Sequence, residues 1–164
     1  MATRESSPTR RPATRDLVLT RIFDAPRELV FKAWTDPKHI AQWWGPKGFT
    51  NPVCELDVRP GGAIRTDMRG PDGVVYPMGG VFHEIAEPER LVFTSSAFED
   101  AHGTPQLEVL NTVTFVEHDG KTKLTLHAVV VKAAPEVAAA LAEMEEGWTQ
   151  NLVRLEELMA KIRR

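Results

Sequence analysis

Residues 135–161 read PEVAAALAEMEEGWTQNLVRLEELMAK. Here Val137, Leu141, Met144, Trp148, Leu152, Leu155 and Met159, followed by Ile162, are separated by steps of 4, 3, 4, 4, 3, 4 and 3, the spacing of a single helical stripe. At about 1.5 Å rise per residue the segment predicts a rod of roughly 40 Å, long enough to cross a whole small domain. Pro135 stands where a first-turn proline belongs. Glu143, Glu145, Glu146, Glu156 and Glu157 fall mainly on the outward side, and Lys161, Arg163 and Arg164 end the segment in agreement with the helix dipole. An apolar stripe of this length needs a surface to cover it, and only a β-rich middle is on offer. A sheet that grips such a helix leaves room for a cavity between the two.

Working outward, the chain between positions 49 and 131 punctuates itself at Pro60-Gly61-Gly62, Gly70-Pro71-Asp72-Gly73, Glu87-Pro88-Glu89, Gly103-Thr104-Pro105 and Asp119-Gly120. Each gap holds one strand. Asp119-Gly120, between strands at 112–116 and 124–131, is the best hairpin signal, because Asp and Gly accept the positive φ that a tight hairpin turn demands. Upstream, 17–23 reads as a strand rich in Val, Ile, Leu and Thr. Ala25-Pro26-Arg27-Glu28 then opens a helix carrying Leu29, Val30, Ala33 and Trp34, which Thr35-Asp36-Pro37 ends. A second short helix is expected from 37 to about 43, before Gly45-Pro46-Lys47-Gly48 forces a loop. The order strand, two helices, six strands, long helix is that of the α+β helix-grip fold: a curved antiparallel sheet of about seven strands around a C-terminal helix.

A chain of 164 residues suits one domain, expected at 16–162, able to bury roughly 70% of its unfolded surface without staples. Residues 1–15 differ: Arg4, Arg10, Arg11 and Arg15 stand among Ser, Thr and Pro, a composition expected to form a disordered leader. A transit peptide would need an amphipathic apolar face that Ala2 and Ala13 cannot supply. Cys54 is the lone cysteine, so no intrachain disulfide forms, and no run of about 18 apolar residues is available to span a membrane. The expectation is a soluble, intracellular, cytoplasmic protein. A net charge of −3 with both signs interspersed gives no basic footprint for nucleic acid.

Alternation along the strands supplies candidate pocket residues. If Val113 and Phe115 face the helix, Val109 and Asn111 share their parity, and Leu124 and Leu126 point the same way while His127 points out. Asn111 is then a polar group in an apolar row. His83 shares parity with Val81 and Ile85, which would turn it inward, unless a bulge at Gly79-Gly80 reverses the assignment and turns Phe82 inward instead. Trp148 on the helix stripe, Leu152 one turn on, and Trp43-Trp44 at the end of the second helix are core or cavity wall, as are Phe93, Met68 and Met78.

The runs Arg21-Ile22-Phe23-Asp24-Ala25-Pro26-Arg27-Glu28-Leu29-Val30-Phe31, Trp43-Trp44-Gly45-Pro46, Asp57-Val58-Arg59-Pro60-Gly61-Gly62, Glu84-Ile85 with Pro88-Glu89-Arg90-Leu91-Val92-Phe93-Thr94, and Gly147-Trp148 with Leu152 and Leu155 together resemble a family. It is the bacterial branch of the activator of heat shock protein 90 ATPase homologue family, within the START-like (SRPBCC, Bet v 1-like) superfamily. The resemblance covers about residues 16 to 161. It implies a helix-grip fold and leaves three functions open: binding of a small apolar molecule such as a lipid or polyketide, regulation of a chaperone, or cyclase-like chemistry. The sequence given carries no separate N-terminal domain of the kind that the family's chaperone activators have, which counts against the second.

Catalytic and metal patterns are absent from the sequence. His39, His83, His102, His118 and His127 show no metal-ligand spacing. There is no Gly-x-Ser-x-Gly elbow, and Gly45-Pro46-Lys47-Gly48 is too short for a phosphate loop. An acid/base pair of His83 with Asp57 or Glu55 is the one catalytic arrangement available; Asp57 pairing with Arg59, or capping the Pro60-Gly61-Gly62 turn, is the simpler reading. The sequence therefore predicts a cavity protein that needs no cofactor or metal. Its partner is a small apolar molecule, with a chaperone as the alternative, and an exposed edge strand offers a route to a homodimer.

Overall fold

The computed structural model describes residues 16–99, 102, 104–134 and 144–162. The segments expected as a leader and as the first turns of the C-terminal helix, the latter with Pro135, Val137, Leu141 and Glu143, lie outside the described residues, as do Arg163 and Arg164. Seven strands, β1 (Asp16–Phe23), β2 (Thr50–Leu56), β3 (Ala63–Arg69), β4 (Val75–Ala86), β5 (Arg90–Glu99), β6 (Pro105–His118) and β7 (Lys121–Ala133), form one antiparallel sheet in the order β1-β7-β6-β5-β4-β3-β2. Helices α1 (Arg27–Thr35) and α2 (Pro37–Trp43) follow β1, and α3 (Met144–Ile162) closes the chain. This is the expected helix-grip architecture.

The β6–β7 hairpin turns at Asp119 and Gly120, with φ of 53° and 79°, the two positive values a two-residue turn requires. Elsewhere the sheet bends through register shifts at Thr50/Val53, Phe82/Glu84 and Glu108/Val109, each adding local twist and curvature. At Gly80 a Cβ would stand 2.0 Å from the Thr94 carbonyl oxygen, so a glycine is what lets β4 and β5 approach there.

Asp36 caps α2, its Oδ1 accepting from the Lys38 N–H at 2.9 Å, with Pro37 in the first turn. The Trp43 indole donates to the Ala33 carbonyl at 2.9 Å and ties α2 to α1. On α3 the buried residues are Trp148, Asn151, Leu152, Leu155, Leu158 and Met159, the expected stripe with Leu158 and a polar Asn151 added. The apolar ones join Val30, Trp34, Leu91, Val113, Phe115, Leu124 and Leu126 in one core. The closest packing of α3 is on α2, β1 and α1, to one side of the concave face. Towards β3–β6 the helix and sheet stand apart. Among the described residues, no helix is long and apolar enough to cross a membrane.

Candidate functional site

The space between α3 and the sheet is a cavity of about 600 Å³, inside the range of small-molecule sites. Its helix wall is Met144, Gly147, Trp148 and Asn151; its lip is Trp44, Gly45, Pro46 and Phe49. The sheet contributes Met68 from β3, Tyr76 and Met78 from β4, Ser95 and Ala97 from β5, and Leu107 and Val109 from β6. Behind it a hollow of about 30 Å³ shares Trp44, Met78 and Ser95 and reaches Thr66, Phe82 and Phe93.

Four tryptophans frame the site. Trp34–Trp43, Trp43–Trp44, Trp44–Trp148 and Trp148–Trp34 have ring centroids 4.8, 5.5, 5.3 and 6.0 Å apart, closing a ring of edge-to-face and stacked contacts. The Trp44 indole N–H, held in an apolar wall, takes the Met78 sulfur as acceptor at 3.4 Å.

One side chain fixes the lip. From α3, the Arg154 guanidinium donates to the carbonyls of Trp44 (3.2 Å), Gly45 (2.9 Å), Pro46 (3.0 Å) and Gln42 (3.0 Å). Asn51 adds bonds from its amide nitrogen to the Ala41 and Trp44 carbonyls at 3.1 and 2.8 Å. Ala41 and Gln42 belong to the last turn of α2, whose carbonyls lack helical partners and favour a cation, while Trp44, Gly45 and Pro46 belong to the lip that follows it. Burial draws the Arg154 pKa below its ordinary value, partly offset by Glu157.

Of the residues expected at the pocket, Trp44, Met68, Met78 and Trp148 line the cavity, and Phe82 and Phe93 line the hollow behind it. Trp43, Phe115 and Leu152, at 0%, 1% and 1% exposure, are core. Asn111 faces inward, as its parity requires, beneath the wall. Its amide nitrogen donates to the Ser95 hydroxyl at 3.1 Å, which orients a cavity-lining group and leaves the Ser95 proton free to donate. The inward expectation for His83 is corrected: His83 is exposed and bonds the Thr94 hydroxyl on the outer face. The bulge lies at His83 itself, where Phe82 pairs Phe93 and Glu84 pairs Val92. Phe82 and not Val81 therefore faces the core. Asp57 is exposed and paired with the Arg59 Nε at 2.8 Å, so the acid/base arrangement with His83 is not assembled at the cavity.

Sequence reasoning missed Gly147, Asn151, Ser95 and Tyr76. Asn151 had a signal: it stands three residues after Trp148 and four before Leu155, on the buried stripe. It is 8% exposed, and its Oδ1 is enclosed without a hydrogen-bond partner among the described residues.

The family model for activator of Hsp90 ATPase homolog 1-like proteins matches residues 24–160. The chain belongs to this family. Solved structures agree in shape. A protein from Nitrosomonas europaea superposes with a TM-score of 0.74 at 26% identity, covering 90% of this chain and 96% of its own. The AHSA1 protein from Silicibacter pomeroyi gives 0.73 at 26% identity, over 88% and 97%. A protein from Arthrobacter aurescens gives 0.79 at 23% identity over 93% and 90%, a likeness of fold. No curated protein matches. In this activator of Hsp90 ATPase homolog 1-like domain, two of the runs that carry the family resemblance build the cavity: Trp44-Gly45-Pro46 is its lip, and Gly147-Trp148 its helix wall.

Proposed function

We propose that the domain binds a small lipophilic molecule in the cavity between α3 and the sheet. The observation that carries the reading is Gly147. A glycine within a helix costs about 0.5–1 kcal/mol relative to alanine, and here no close neighbour demands it: a Cβ at Gly147 would meet nothing within 4 Å. What the glycine does is keep the cavity open at the helix wall. The aromatic and thioether walls suit an apolar guest.

The test is thermal unfolding against fatty acids, sterols, flavonoids and aromatic polyketides. A guest at 100 times its Kd stabilises by about 2.7 kcal/mol, raising the midpoint by about 5–10 °C. In Gly147→Leu the free protein is expected to melt higher than wild type, because the helix gains propensity and the added side chain buries apolar surface against the cavity wall, while ligand shifts shrink as the guest is obstructed at α3. A flat response from wild type across the panel overturns the reading.

The family match favours one second reading, regulation of a chaperone ATPase, since the matching model is described by that activity. Titration into heat shock protein 90 with its ATPase as readout tests it, and no change in turnover removes it. Gly147→Leu separates the two readings, because it obstructs the cavity at its helix wall and leaves the outer surfaces unaltered.

A further inference from the structure

We infer that Asn151 is the polar anchor of this cavity and that the guest is uncharged, carrying a hydroxyl, amide or aromatic amine on the end that reaches α3. This rests on the ligand-binding reading above.

The first observation is an unpaired amide. Asn151 is more than nine-tenths buried, lines the cavity, and has an enclosed carbonyl oxygen with no partner among the described residues. Leaving such a group unsatisfied is costly, and Asn is also a poor helix former. A leucine would extend the stripe of Trp148, Leu152 and Leu155 at no such cost. As placed, the enclosed oxygen does not open onto the cavity; a half-turn about the last side-chain torsion exchanges oxygen and nitrogen, so the carboxamide can accept from a guest hydroxyl, amide or amine.

The second observation is charge. Among the described residues lining the cavity there is no Asp, Glu, Lys, Arg or His: the polar ones are Ser95, Ser96, Tyr76 and Asn151. Arg154, the cation that holds the lip, donates to four backbone carbonyls there and at the end of α2. A carboxylate or sulfonate seated against Asn151 would thus be desolvated without a counter-charge, and that penalty is large. The site is built to select against fatty-acid-like anions and for neutral molecules of the same apolar body.

Two dyes with one skeleton make the test. N-phenyl-1-naphthylamine is neutral with one N–H; 8-anilinonaphthalene-1-sulfonate is the same molecule with a sulfonate beside that N–H. Fluorescence titration of the wild-type protein is expected to give at least about tenfold tighter binding of the neutral dye. Asn151→Leu is expected to weaken the neutral dye about three- to tenfold, the range of one hydrogen bond, and to melt no lower than wild type. Equal affinity of the two dyes, or an unchanged affinity of the neutral dye for Asn151→Leu, overturns the anchor while leaving the cavity reading standing. Binding of neither dye to wild type, together with a flat ligand panel, overturns both.

Discussion

Cys54 on β2 shows how one environment sets reactivity. Its thiol is half-buried, and desolvation, reinforced by the charges of Asp36 and Glu55, raises its pKa from 9.0 to about 11. At pH 8 the thiolate, which is the nucleophile, is therefore about a hundredfold scarcer in the folded chain than in the unfolded one. Alkylation by iodoacetamide should be slower by about that factor in native protein than in urea, and equal rates would contradict the assignment. The sign for stability follows. The folded state holds this proton more tightly, so the stability associated with it is complete below about pH 9 and is lost as pH rises towards about 11. Cys54→Ala should remove that alkaline component, seen as a smaller fall in melting midpoint between these pH values. At this same scale, legibility in the sequence was uneven. Asn111 was readable from parity because β6 runs evenly through Val109, Asn111, Val113 and Phe115. His83 was not, because one extra residue at a bulge reverses every side chain beyond it, and nothing in the letters around Phe82-His83-Glu84 marks that position.

At the scale of elements, the lip of the cavity depends on a helix end that α2 cannot satisfy by itself. Seven residues of helix leave their last carbonyls without internal partners; Arg154 reaches across from α3 to take one of them, Gln42, together with the Trp44, Gly45 and Pro46 carbonyls of the lip that follows. Arg154→Ala should cost about 2 kcal/mol of stability, a fall in midpoint of about 4–8 °C, and should weaken guest binding as Trp44 and Pro46 lose their support. Arg154→Lys should recover little, since an ammonium cannot span four carbonyls as a planar fork does; full recovery would show that charge alone matters. The elements themselves were legible, because turn residues and the helical stripe act locally. The clamp was not, because it joins Arg154 to positions more than a hundred residues earlier in the chain, and a helical arginine beside Glu157 reads as surface.

For the whole molecule, the order of elements carried the fold, since a strand, two short helices, six strands and a long helix have few ways to cover one apolar stripe. What the order could not give is how far α3 leans from β3–β6, and that distance decides whether the core is solid or holds about 600 Å³ of space. The first traces lay in two residues that stability alone does not explain, Gly147 and Asn151, both on the face of α3 that meets the cavity. A grip made rigid on the α1, α2 and β1 side and open on the other gives the domain a fixed jaw with a lined interior.

The ring of four tryptophans gives this chain a built-in lamp. These are all the tryptophans it has, each within 4.8–6.0 Å of its ring neighbours, so excitation of one indole passes readily to the others. Trp44 and Trp148 border the cavity. A guest that quenches either one dims the emission of the entire protein, and occupancy becomes an optical signal that needs no label.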